Sequence, residues 1–173
     1  MKKKINIKKI TLCGLFTAII AVCAQISIPT PIGVAVTLQT FAAALSAFVL
    51  GPLYGTAAVF CYAALGAAGV PVFANFSGGI AVITGPSGGF IVGFLPLAVL
   101  CGFAARKKSV SARAALSAAG LIACYAVGIT GYLYVTGAAA AAALPYIPYF
   151  IKDVIMLFAA YFLSKKLSFR RFF

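Results

Sequence analysis

Long apolar runs separated by short basic clusters dominate this sequence, and they decide what solvent the chain can fold in. Six such runs lie at residues 10–28, 36–50, 54–69, 90–105, 114–135 and 147–163. A hydrocarbon core of about 30 Å takes about 20 helical residues, so the second and third runs must borrow flanking residues to span it. Only 9% of the residues are charged and 64% are hydrophobic, against about 25% charged in a soluble domain. A water-soluble fold of this composition would expose contiguous apolar surface, which soluble monomers avoid. Lipid bilayer is the solvent such a chain fits.

Charge then orients the runs. There are 14 Lys and Arg residues, one acidic residue and no His. A net charge of +13 would suit nucleic acid if it formed a continuous patch, but here it is parcelled out. Lys2, Lys3, Lys4, Lys8 and Lys9 precede the first run. Arg106, Lys107, Lys108 and Arg113 separate the fourth from the fifth, and Lys165, Lys166, Arg170 and Arg171 follow the sixth. Basic segments flanking spans mark the cytoplasmic side, so no nucleic-acid partner is expected. Six passes put all three clusters on one side, whereas five or seven would strand one of them. The first run is long enough to span and others follow it, so it is read as a retained helix rather than a cleaved signal.

The expected fold is therefore an all-α membrane protein, a single domain over residues 1–173 with six transmembrane helices and both termini cytoplasmic. Segments 1–9, 106–113 and 164–173 are its basic cytoplasmic parts. Residues 51–53, Gly-Pro-Leu, make a tight inner turn. The outer connections, 29–35, 70–89 and 137–146, carry no Lys, Arg, Asp or Glu. The middle one is rich in Gly and Pro and is expected to cap a ligand pocket, because non-helical backbone at membrane depth persists only where protein buries it or it lines a cavity. The alanine run 138–143 extends the fifth helix or forms a short outer one.

Chemistry is scarce. Asp153 is the sole acidic residue. Ionisable side chains within spans are costly and face the interior, so it is a candidate acceptor for N–H groups of a ligand; the plainer reading is a salt bridge to Lys152. Lys152, the one basic residue outside the clusters, either attracts an anionic ligand or snorkels to the headgroups. Asn75 brings donors and an acceptor to an apolar stretch or serves a turn. Phe73, Phe76 and Phe90 either wall a pocket or pack elsewhere. Gln25, Thr37 and Gln39 are read as hydrogen bonding across helices. The five cysteines have no CxxC spacing and no His beside them, and are read as small buried residues. No metal, cofactor or catalytic set is expected: there is no His, no second carboxylate, and no lysine after the glycines to form a phosphate loop. On the first helix Gly14 and Ala18, and Thr17 and Ala21, are small residues one turn apart. They serve packing within the chain or a flat face for another subunit.

Four motifs carry a resemblance. Gln25-Ile-Ser-Ile-Pro-Thr-Pro, Val36-Thr-Leu-Gln-Thr, Gly69-Val-Pro-Val-Phe-Ala and Gly85-Pro-Ser-Gly-Gly-Phe resemble the BioY-type biotin transport proteins, the substrate-binding (S) components of energy-coupling factor (ECF) transporters. The resemblance runs over nearly the whole chain. It implies an outward-facing biotin pocket in a non-enzymatic, multi-pass protein of the cell membrane. Its implied partners are a transmembrane coupling subunit (the T component) and two ATP-binding-cassette ATPases that supply the energy. It implies that Asn75 and Asp153 contact the ureido ring, and completes a candidate binding set with Lys152, Phe73, Gly79, Ser87, Phe90 and Gln39. Gly14, Thr17, Ala18 and Ala21 become a candidate face for the coupling subunit. The last helix departs from the family pattern, with Lys152 preceding the acid and Met156 one turn later. The biotin carboxylate is thereby left to Lys152, or to Ser87 and loop N–H groups. Two rivals remain at this point: an S component for riboflavin or thiamine, and a non-transporting membrane scaffold.

Overall fold

The computed structural model of the protein describes residues 7–31 and 33–167; Lys2, Lys3, Lys4, Arg170 and Arg171 of the basic clusters lie outside the described residues. Among the described residues, five helical stretches are long and apolar enough to cross a membrane.

Helix α1 (Ile7–Gln25) stops three residues before the end of its apolar run. Ser27–Ile28 (β1) pairs instead with Val36–Thr37 (β2), antiparallel, with Ser27 opposite Thr37. Pro29 accounts for the stop, since a residue before proline is driven out of the helical region. This small ribbon is the one sheet among the described residues, beside an isolated bridge between Phe73 and Ser77.

The second and third apolar runs form one element, α2 (Gln39–Ala67), interrupted at Gly51. Gly51 has φ 79° and ψ −179°, a backbone state that glycine adopts without penalty, and Pro52 bars it from the helical region. The chain reverses there. A methyl group on Gly55 would lie 2.5 Å from the Ala47 Cα, although residues eight apart on a continuous helix are separated by about 12 Å along the axis. The backbones of the two halves touch, as small residues permit in membrane bundles.

A short helix α3 (Ile80–Ile83) precedes α4 (Gly88–Arg106), α5 (Val110–Thr136) and α6 (Ile147–Lys166). The Ser109 hydroxyl caps α5 by accepting from the Ala112 N–H, and left-handed Gly137 (φ 65°) ends it, the usual pair of helix signals. The alanine-rich run becomes a separate 3-10 helix, Ala140–Tyr146, leading into α6.

Helix α4 packs against α2 and α5, while α1 and α6 lie on α2. Glycines set the α4–α5 spacing: a methyl on Gly93 would meet the Cys124 carbonyl at 2.7 Å. On α6, Ile151, Ile155, Phe158 and Phe162 are exposed at helical spacing, a stripe suited to lipid. Of the five cysteines, Cys101 and Cys124 are buried and Cys13 and Cys23 partly so, but Cys61 is exposed; the expectation that all are buried is corrected there. The small-residue face of α1 also divides. Gly14 and Ala18 are exposed and a methyl on Gly14 would meet nothing within 4 Å. Thr17 is buried and its hydroxyl donates to the Ala58 carbonyl at 3.1 Å, so its expected place on a docking face is corrected: it packs α1 on α2. Ala21 is half-buried.

Lys9, Arg106, Arg113 and Lys165, drawn from all three basic clusters, line one cavity at one end of the bundle. Had α2 run straight, Arg106 would lie at the far end from Lys9. The ribbon, the outer turns and Asp153 gather at the opposite end.

Candidate functional site

A cavity of about 240 Å³ opens at that opposite end, beneath the connections around residues 29–35 and 73–77 and the start of α4. Ile91, Phe94 and Cys124 supply apolar wall, and Tyr125, Lys152 and Asp153 supply the charged and hydroxyl groups.

Asp153 is 6% exposed. It lies six residues into α6 (Ile147–Lys166), about 9 Å along the axis, and is therefore within the span. Its Oδ2 accepts from the Tyr125 hydroxyl at 2.7 Å. Its Oδ1 is 2.6 Å from Lys152 Nζ, and the same ammonium donates to the Thr37 carbonyl at 2.6 Å. An ion pair on one oxygen and a hydroxyl hydrogen bond on the other thus coexist on one carboxylate. A carboxylate oxygen carries more than one lone pair, so Oδ1 beside Lys152 retains acceptor capacity. The salt-bridge reading of the sequence holds, and Lys152 lies on the cavity wall.

Asn75 occupies the wall from above. It sits in a 3-10 turn, Ala74–Phe76, in a left-handed conformation (φ 57°, ψ 37°), which asparagine tolerates better than most residues. Its Oδ1 accepts from Ser27 Oγ at 2.8 Å, which leaves its NH₂ to donate. Gln25, read from sequence as a cross-helix bond, instead clamps this turn. Its Nε2 donates to the Val72 and Phe73 carbonyls at 3.2 and 3.1 Å, and its Oε1 accepts the Phe76 N–H at 2.9 Å.

The aromatic candidates separate. Phe73 is buried and lines the cavity, edge-on to Tyr62. Phe90 also lines it and stacks near Tyr125 and Tyr146, with Gly128 making room: a methyl there would fall 2.4 Å from the Phe90 ring. Phe76 is 73% exposed and points away. Gln39 lines the cavity, but its amide is engaged. Its Nε2 donates to the Tyr62 hydroxyl and its Oε1 accepts from Thr37 at 2.8 Å, which ties the two halves of α2 together. Ser87 lines the cavity where α4 begins. Gly79 does not: its φ of 97° and its N–H bond to the Gly66 carbonyl at 2.7 Å shape the turn behind the wall.

Two participants were not singled out from sequence. Tyr125 orients Asp153, and the Tyr149 hydroxyl lies 2.9 Å from Thr30 Oγ1 and 3.0 Å from the Val34 carbonyl, holding the first outer connection against α6. The available signal was a hydroxyl-bearing aromatic inside an apolar run, since a buried tyrosine needs a hydrogen-bond partner.

This is a small, polar-tipped cavity with one ion pair and no metal-ligand cluster among the described residues. The profile of the BioY family matches residues 1–171. The biotin transporter BioY of Thermotoga maritima is 44% identical over 157 residues, 90% of this chain and 92% of that protein. A probable biotin transporter BioY of Pyrococcus horikoshii is 38% identical, over 93% of this chain and 96% of the other. A crystal structure of the S-component for biotin from an ECF-type ABC transporter superposes with a TM-score of 0.78 at 26% identity, covering 95% of both chains. From end to end, in sequence and in fold, the chain belongs to the BioY family.

Proposed function

We propose that this protein captures biotin at the outer face of the cell membrane as the S component of an ECF transporter. The observation that carries the reading is the buried Asp153 carboxylate, its Oδ1 engaged only by the Lys152 ion pair, in the same cavity as Asn75. Biotin's ureido ring offers two N–H donors and one carbonyl. Asp153 Oδ1 accepts an N–H; the Asn75 NH₂, left over by the Ser27 bond, donates to the carbonyl. Charge-assisted bonds of this kind are the stronger ones. Phe73, Phe90 and Phe94 suit the apolar rest of the molecule. Lys152, Ser87 and the first N–H groups of α4 are the wall groups able to meet its carboxylate.

In this reading the two halves of α2 are separate passes, so the chain crosses six times and the basic end, with both termini, faces the cytoplasm. The first outer connection and the turn held by Gln25 cover the vitamin. The coupling subunit docks on α1 around Gly14 and Ala18, and two ATPases supply the energy. The expected absence of a phosphate loop leaves ATP hydrolysis to those partners. Native mass spectrometry of gently purified protein tests the ligand: biotin is the bound small molecule expected, and riboflavin or thiamine in its place overturns the assignment.

A further inference from the structure

The basic end holds a second, larger cavity, of about 730 Å³, which biotin capture does not use. Arg106, Arg113 and Lys165 line it, together with Tyr161 and the apolar side chains of Leu50 and Leu53. Arg113 is held in a fixed pose. Its Nε donates to the Lys107 carbonyl at 2.6 Å, one terminal nitrogen donates to the Tyr161 hydroxyl at 2.7 Å, and the other points to the Lys108 carbonyl at 3.4 Å. All three acceptors are neutral, so the guanidinium is positioned without being neutralised. Lys165 Nζ lies 4.7 Å from the centre of the Tyr161 ring, close enough for a cation–π contact. The chain's sole acidic residue, Asp153, lies twelve residues before Lys165 on α6, about 18 Å away along the axis, and is already against Lys152.

We infer that this cavity is a binding site for the headgroup of an anionic phospholipid. The anion must come from outside the chain's own side chains. The cavity is lined from the ends of α1, α4, α5 and α6 and from the Gly51 turn of α2, and basic pockets between spans at a membrane surface take up anionic headgroups. Half its lining is apolar, which suits the glycerol and first acyl carbons of a lipid better than a free phosphate or a hydrated acidic peptide. The site is independent of biotin.

The test uses the full chain in nanodiscs of equal phosphatidylglycerol and phosphatidylcholine, with retained lipid counted by native mass spectrometry. The wild type is expected to keep phosphatidylglycerol preferentially. Arg113→Gln and Lys165→Gln each weaken that preference about fivefold, with biotin binding and helicity unchanged. Lys108→Gln removes the same charge from the same surface while sparing the carbonyl that holds Arg113, and leaves the preference intact. Millimolar inorganic phosphate does not displace the lipid. Equal retention of the two lipids, an equal loss in Lys108→Gln, or displacement by phosphate alone overturns the inference; the last would mark a site for the free anion. Restoration of wild-type behaviour only by an acidic segment of a coupling subunit would overturn it in favour of a protein partner.

Discussion

At the scale of single residues, Asp153 is held from two sides. Lys152 supplies the counter-charge and Tyr125 fixes the plane of the group through Oδ2 at 2.7 Å. Removing that hydroxyl loses a hydrogen bond to a charged group, of the order of 1.5–3 kcal/mol. Tyr125→Phe should therefore weaken biotin binding about tenfold in calorimetric titration; an unchanged affinity would show that Asp153 holds its pose without it. Asp153 was legible in the sequence because it is alone: a single acid in a span has few readings. Its neighbour was not. Eight tyrosines in Ala- and Gly-rich helices give no periodicity that says which one faces inward. Gln25 was misread for a related reason. Glutamine at a helix end serves a loop as readily as a helix, and only the return of residues 72–76 to α1 decides it.

At the scale of elements, the apolar runs placed the helices, and local chemistry moved their ends. Pro29 cut α1 short and freed Ser27–Ile28 to pair. The Gly-Pro step at 51–52 was readable as a turn, and it reverses the chain with hardly a loop residue, so both halves of α2 stay in register for close packing. That closeness is testable. Gly55→Val would drive its side chain into the Ala47 backbone, 2.5 Å from the position of a new methyl, and overpacking of this sort costs about 1–3 kcal/mol. The expected result is a lower midpoint of thermal unfolding in detergent, relieved in part by Gly55→Ala. Equal midpoints for all three proteins would mean that the halves separate easily.

At the scale of the whole molecule, two ends carry two kinds of chemistry. Lys9, Arg106, Arg113 and Lys165, scattered in sequence, line one cavity. The capture site lies at the other end, and α1 offers a face between them. Because a side chain at Gly14 meets nothing in this chain, Gly14→Leu should leave biotin binding and thermal stability at wild-type values. It should also reduce co-purification with the coupling subunit and biotin uptake by cells. Intact uptake would place the docking face elsewhere. Sequence offered both small-residue pairs of α1 alike; only the packing of α1 on α2 separates the exposed Gly14 and Ala18 from the buried Thr17.

The most direct check on the central claim is isothermal titration of biotin into purified wild-type protein and its Asp153→Asn variant. Replacing the carboxylate by an amide removes the charge that Lys152 balances and places an N–H where the vitamin offers its own. Tight binding by the wild type and a loss of at least about tenfold in the variant, with the fold intact by circular dichroism, is the predicted result. Equal affinity in the two proteins would contradict it.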